Sequence, residues 1–581
     1  MSSENRPLFP DLAPSKDELL KWNWTDFEPY YRELETFPLS AENLSTWLAG
    51  WSAVLGCVKD LSTWLYVATT VNTADQAAKA HYEAYLEDIF PRAMQAEQRL
   101  KRKLLASGLS LPGMEVPIHN MRLEADLFRE ENLPLLAEEQ KLCNQFHAIV
   151  GAETVMWQGR EATLKEIQLA YLDGDRSVRE HTWRLKKQRQ LADRQAINEL
   201  WQKMLALRTR IAANAGKPDY RAYRWQQLLR SDYTPEDSRK FHAAIEQVVT
   251  PALARINERR RQRMGVAALR PWDLDVDALD RPPLRPFTSP EELVAGASAI
   301  FHHVDPQFGA YFDTLRNEGL LDVANRKNRA DGAYCAGFVI TRKPFIFASV
   351  VGVQRDVETL LHESGHSFHA FEESRLPYVH QQIMVSEFFT EFAEVASMGM
   401  ELLASPYLGR EFGGFYTPQE AARARIAHLE HNIWFWPYMA VVDAFQHWVY
   451  ENPERAMDAA NCDAQWDNLW QRYIPVVDWS GLEEERMTGW QRKHHIHTLP
   501  FYYIEYGLAQ LGALQIWGNA LKDQAGAVAS YRRALSLGGT VPLADLYRAA
   551  GARLSFDAST LRAAVDLMEH VIEELEEAAA G

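Results

Sequence analysis

The sequence predicts a mainly α protein with one small sheet beside a histidine-bearing helix. Three observations carry that expectation. Apolar residues recur at helical spacing along most of the 581 residues. Strand-like sequence is concentrated near 334–351, where aromatic and β-branched residues cluster. Directly after it stands His362-Glu363-Ser364-Gly365-His366, two histidines four apart with a glutamate beside the first.

Residues 1–15 are polar and proline-rich and are expected to form a poorly ordered arm. Helical signals dominate from Lys16 to Gly108, in Asp17-Glu-Leu-Leu20, Ala41-Glu-Asn-Leu-Ser-Thr-Trp-Leu48 and the stretch Gln76 to Ser107. Leu111-Pro-Gly-Met-Glu-Val-Pro117 reads as a loop. Helical patterns resume from Met121 to Gly216, broken near Val155–Gln158 by a strand or turn. Thr234-Pro-Glu-Asp237 is an N-cap with proline at the first helical position, opening a helix that runs to Met264. Arg270 to Phe287 is rich in Pro and Asp and irregular. Pro344 to Val351 reads as a buried or edge strand, and Gly352 allows a turn after it. Asp356 to Glu373 carries apolar residues at Val357, Leu360, Leu361, Phe368 and Phe371, and Pro377 marks the break beyond. Val385 to Leu403 is a second helical stretch, and helices return from Pro418 to Leu575.

Composition narrows the function classes. The net charge of −17 argues against nucleic acid and anionic membrane as partners. Cys57, Cys143, Cys335 and Cys462 are scattered and form no CxxC, which points to a reducing, cytoplasmic setting without disulfides. No run of apolar residues is long enough to span a bilayer, and no secretory leader is visible. No internal repeat stands out.

The spacing of the pentapeptide does chemistry. At about 100° per residue, His362 and His366 sit about 40° apart on one helix face, one turn apart along the axis. Both imidazoles then reach one ion at about 2.0–2.1 Å. Glu363 is rotated away from that line by about 100°, beside the metal without being a ligand, where it takes a proton from a water held there. Eighteen histidines in the chain predict only about 0.04 chance matches to the pattern. A catalytic zinc usually takes three protein ligands. His369 lies about 10 Å from His362 along the axis, too far to share the ion comfortably, and is expected to support a ligand or to pack. The following stretch carries Glu387, Glu391, Glu394 and Glu401 on one face, flanked by Phe388, Phe389, Phe392, Val395 and Met398. Buried carboxylates are costly unless paired or metal-bound, so one of them completes the site and another orients a histidine.

Asp356 to His369, followed by Phe392-Ala-Glu-Val-Ala-Ser-Met-Gly-Met-Glu401, resembles the M3 peptidases, in the oligoendopeptidase F and Pz-peptidase branch of the thimet oligopeptidase superfamily. In that family the third zinc ligand is a Glu followed by Ser three residues on and Glu seven residues on. The resemblance therefore implies Glu394, with Ser397 and Glu401 matching, and Glu391 as the alternative that thimet-type spacing favours. His494-His-Ile-His-Thr-Leu-Pro-Phe-Tyr-Tyr-Ile-Glu-Tyr-Gly507 resembles the family's His/Tyr segment, which binds the substrate carbonyl and steadies the oxyanion. Tyr503 and Tyr506 share a helix face and His495 fits the branch spacing; His494, His497 and Tyr502 stand close enough to be alternatives. Asp331-Gly-Ala-Tyr-Cys-Ala-Gly337 matches a region that lies beside the active site in the family, and the resemblance implies that the 344–351 strand after it pairs with extended substrate. The resemblance runs from about Asn214 to Gln515.

It implies a zinc-dependent metalloendopeptidase of short unstructured peptides, with one Zn²⁺ per chain held by His362, His366 and Glu394. Glu363 is the expected base, and His495, Tyr503 and Tyr506 the expected oxyanion donors. A deep substrate channel is implied between an N-terminal helical part, 1–200, and a catalytic part, 201–581. The expected partner is a peptide, and the chain a monomer or small homo-oligomer. A zinc dipeptidyl carboxypeptidase would need a cation such as Arg342 for the substrate's carboxylate. A peptide-binding protein on an inactive scaffold is disfavoured because every expected ligand and the base are present.

Overall fold

The computed structural model describes residues 8, 9, 12, 14–324, 326–330, 332–386 and 391–580. It is 71 % helical, as the sequence predicts, and carries a second small sheet besides the expected one. Local signals set many of the helix ends. Thr234 accepts from the Asp237 N–H and Asp237 accepts from the Thr234 N–H, so a capping box opens the helix Pro235–Met264. Leu111–Pro117 is only partly a loop. A helix spans Glu115–Leu127, because Pro117 falls in its first turn, where no intrahelical N–H is needed. The break near 155 is a hairpin of β1 (Thr154–Trp157) and β2 (Arg160–Thr163). Gln158 and Gly159 turn it with φ of 50° and 82°, the paired left-handed geometry that matches strand twist.

The second sheet holds β3 (Leu321–Asp322), β4 (Ala333–Phe338) and β5 (Lys343–Ala348) in the order β3-β5-β4. β5 pairs in parallel with β3 and antiparallel with β4. This corrects the expectation that the 344–351 strand is open to an extended partner: β5 is the central strand. β3 and β4 are the two edge strands, and β4 is the longer. Ser349 donates to the Gly332 carbonyl, and Gly337 stands opposite Pro344, which has no N–H. Both facts set the same phase. Tyr334, Ala336 and Phe338 bond to β5, and Ala333, Cys335 and Gly337 direct their backbone groups outward.

The chain divides into two compact units, and they interleave in sequence. One comprises Met1–Asp126, Arg285–Ala422 and Ala509–Leu554, the other Leu127–Leu284, Arg423–Leu508 and Ser555–Gly581. The expected division at residue 200 falls inside the second unit. The first unit shows why its N-terminal residues belong with the HExxH segment. Helix Leu44–Val71 covers one face of the sheet: the Trp64 and Phe338 rings stack at 4.0 Å, and the Thr70 and Tyr334 hydroxyls meet at 2.5 Å. Asp60 on that helix accepts the Val339 and Ile340 N–H groups of the β4–β5 turn at 2.6 and 3.0 Å. Leu8, Phe9 and Leu12, within the expected arm, also pack on this core. The second unit has its own interior, with Arg230 paired to Glu505 at 2.6 Å and His242 to Asp443 at 2.8 Å. Among the described residues no helix is long and apolar enough to cross a membrane.

Candidate metal centre and active site

The HExxH helix spans Gln354–Glu373. Gly352, with φ of 85°, turns the chain out of the sheet, and Asp356 accepts the Val351, Gly352 and Val353 N–H groups at 2.7, 2.7 and 3.0 Å. One carboxylate thus ties the helix start to the end of the strand segment. The companion helix is described over Glu391–Ala404; Val385 and Ser386, expected to begin it, lie in a turn and bend instead. Glu387, Phe388, Phe389 and Asp331 lie outside the described residues.

The two helices touch backbone to backbone at Gly365. A Cβ there would sit 2.5 Å from the Ala396 carbonyl oxygen and 2.6 Å from Ser397 Cα. Only glycine allows this approach, and the approach is what brings Glu394 to the histidines. His362 Nε2 lies 3.4 Å and His366 Nε2 3.7 Å from Glu394 Oε2. The three ligand atoms lie within 4.8 Å of one another, the only such cluster of three among the described residues. Glu391 is buried but does not belong to it.

The surroundings fix these side chains. Glu401 Oε1 lies 2.6 Å from His362 Nδ1. Ser397 donates to Glu394 Oε2 at 3.0 Å. Burial works against a charged His362, but hydrogen bonds with Glu394 and Glu401 override it and hold its pKa well above the usual imidazole value. Burial likewise tends to raise Glu394, yet the bond from His362, the nearby His366 and Ser397 bring it down to about 2. Burial lowers His366 to about 4, so its ring is neutral at physiological pH. The donor set of two imidazoles and a carboxylate suits zinc. Two carboxylates that hold a proton on His362 can hold a divalent cation in its place. The residues present therefore fit the metal.

Glu363 is buried on the same helix, and burial pushes its carboxyl up to about 7. His369 is fully buried, with Nε2 3.5 Å from Glu373 and its ring edge-on to Phe392, so it packs, as expected. Cys335 on β4 reaches Ser367 of the helix at 3.3 Å, a contact the sequence did not announce.

The expected oxyanion groups lie in the second unit, on helices His494–Thr498 and Tyr503–Ala520. The His495 ring lies 4.9 Å from Tyr503, 5.9 Å from Tyr506 and 6.3 Å from Tyr502. Burial lowers His495 to about 2, keeping it neutral, and raises the Tyr503 hydroxyl well above its ordinary value. His494 is exposed beside it. His497 is a core residue, fully buried against Phe146, Trp201 and Trp490.

Known proteins share this arrangement of chain. An oligoendopeptidase F homolog of Borreliella burgdorferi is 24 % identical over 274 residues, 46 % of this chain and 44 % of that protein. Oligopeptidase PepF of Bacillus subtilis is 24 % identical over 280 residues, 46 % of this chain and 39 % of that protein. The chain thus aligns with less than half the length of these curated relatives. The fold matches throughout: a solved structure of Pz peptidase A with an inhibitor superposes with a TM-score of 0.85 at 24 % identity, covering 98 % of this chain and 99 % of that one. The sequence model of peptidase family M3 matches residues 170–566, more than half the chain, and the protein belongs to that family.

Proposed function

We propose that this protein is a zinc-dependent endopeptidase of short, extended peptides. The observation that carries the reading is the convergence of His362, His366 and Glu394 ligand atoms within 4.8 Å, with the buried Glu363 beside them. Bound zinc would polarise the scissile carbonyl and acidify a water. The protein's own groups do the rest. Glu363, with its carboxyl at about 7, accepts the attacking water's proton and passes it to the leaving amine. Glu401, accepting from Nδ1–H, leaves the Nε2 lone pair of His362 for the metal. Neutral His495 and the Tyr503 and Tyr506 hydroxyls are the donors for the oxyanion. The outward backbone groups of Ala333, Cys335 and Gly337 support pairing with an extended substrate, which gives affinity with little side-chain selectivity. All four cysteines are unpaired, which supports a cytoplasmic location.

The test is zinc content after dialysis, with cleavage of quenched-fluorescence peptides by the wild type and by Glu363→Gln. One zinc per chain in both proteins is expected, with turnover lower in the variant by roughly 10²–10⁴-fold. A zinc-free protein that still cleaves, or a zinc-loaded variant keeping more than about a tenth of the rate, overturns the reading.

A further inference from the structure

Lys493 precedes the His/Tyr segment and has no counter-ion. Its Nζ lies 3.9 Å from the Tyr503 ring centroid and 5.2 Å from that of Tyr438. Among the described residues no carboxylate lies within ion-pair distance of it, whereas the nearby Arg492 is paired with Glu153 at 2.7 Å. Burial lowers its pKa to about 7, and no neighbouring anion opposes the shift. The ring of Tyr438 also meets Trp434 at 5.4 Å and Trp470 at 5.9 Å. The indole N–H of each of these tryptophans is buried without an acceptor. A cation and two tryptophan rings therefore border one tyrosine ring, and neither indole N–H has a protein acceptor. Buried unmet donors are costly, and the half-buried Lys493 ammonium is open to an arriving anion.

We propose that Lys493, held over Tyr503 and Tyr438, binds a carboxylate of the peptide substrate. The proposal rests on the peptidase reading, in which His495 and Tyr503, with ring centroids 4.9 Å apart, act on the scissile carbonyl. Two sources share the chemistry: the free C-terminus of a short peptide and an internal Asp or Glu side chain. The first would make the enzyme favour cuts near a C-terminus; the second would make it favour acidic sequences. The ammonium forms no covalent bond and acts by charge-assisted hydrogen bonding.

The experiment uses the zinc-loaded full chain and four quenched peptides of equal length. They combine a free or amidated C-terminus with Glu or Gln two residues beyond the cut. For the wild type, kcat/KM should drop about ten-fold when the recognised carboxylate is neutralised, the scale of one charge-assisted contact. The arm that drops identifies the source. Lys493→Met, which keeps the stem and loses the charge, should bring that ratio close to one, and Lys493→Arg should retain most of it. Thermal melting checks that the variants fold. Equal wild-type rates on all four peptides overturn the proposal whether or not the variants fold, and so does a folded Met variant that keeps the ratio. No cleavage of any peptide by the zinc-loaded wild type would instead sink the peptidase reading.

Discussion

The HExxH region and the His495–Tyr506 region are both rich in polar side chains, but they are built on opposite rules. Around His362 the polar groups position one another. Glu401 meets His362 at 2.6 Å, Ser397 meets Glu394 at 3.0 Å, and Asp356 gathers three N–H groups. Around His495 the neighbours are ring faces. Tyr503, Tyr506 and Tyr502 surround the imidazole, its buried Nδ1 has no hydrogen-bond partner, and Lys493 lies over tyrosine rings without an anion. The first region is arranged before anything binds, as a ligand set must be to select one ion. In the second, His495 and Lys493 are left without such partners, which suits groups whose partner is substrate and whose full bond forms only in the transition state.

Substitutions can break this contrast. The largest effect is expected at Glu394. Glu394→Ala should leave the dialysed protein without stoichiometric zinc, while Glu391→Ala should keep it, because only Glu394 reaches both histidines. Zinc kept by the first variant and lost by the second would move the ligand to Glu391. In the reserve region, Tyr503→Phe should lower kcat by roughly 10²–10³-fold with little change in KM, the mark of a donor used mainly in the transition state. An unchanged kcat would make Tyr503 a packing residue and shift attention to Tyr502 and Tyr506.

Glu401→Gln tests the mutual positioning directly. It should weaken zinc affinity by roughly 10–100-fold, measured by competition with a chelator. Unaltered affinity would mean that the 2.6 Å contact with His362 is incidental. Gly365→Ala should give the smallest effect. A methyl group 2.5 Å from the Ala396 carbonyl must part the helices, at a cost of about 1–3 kcal/mol in denaturant unfolding. A variant with wild-type stability and wild-type zinc affinity would show that the helix contact does not set the metal site.

What the sequence alone could determine is local. HExxH on a helix is legible because its spacing is a property of one turn. Glu394, Ser397 and Glu401 are legible as a group because one helix carries them all. The Thr234 cap and the turn at Gly352 are set by neighbours within a few residues. The tertiary structure decided what depends on distant partners. The central place of β5 was settled by β3, a two-residue strand too short to leave a pattern, which covers the side of β5 that β4 leaves open. His497 reads like its neighbours in sequence, and only the rings of Phe146, Trp201 and Trp490 around it make it core. The N-terminal residues join the unit of the HExxH helix through Asp60, Trp64 and Thr70, whose partners lie more than 260 residues along the chain. Periodicity tells a residue which way to face. What it will meet there depends on the folded path of the rest of the chain, because packing and hydrogen bonding act between neighbours in space.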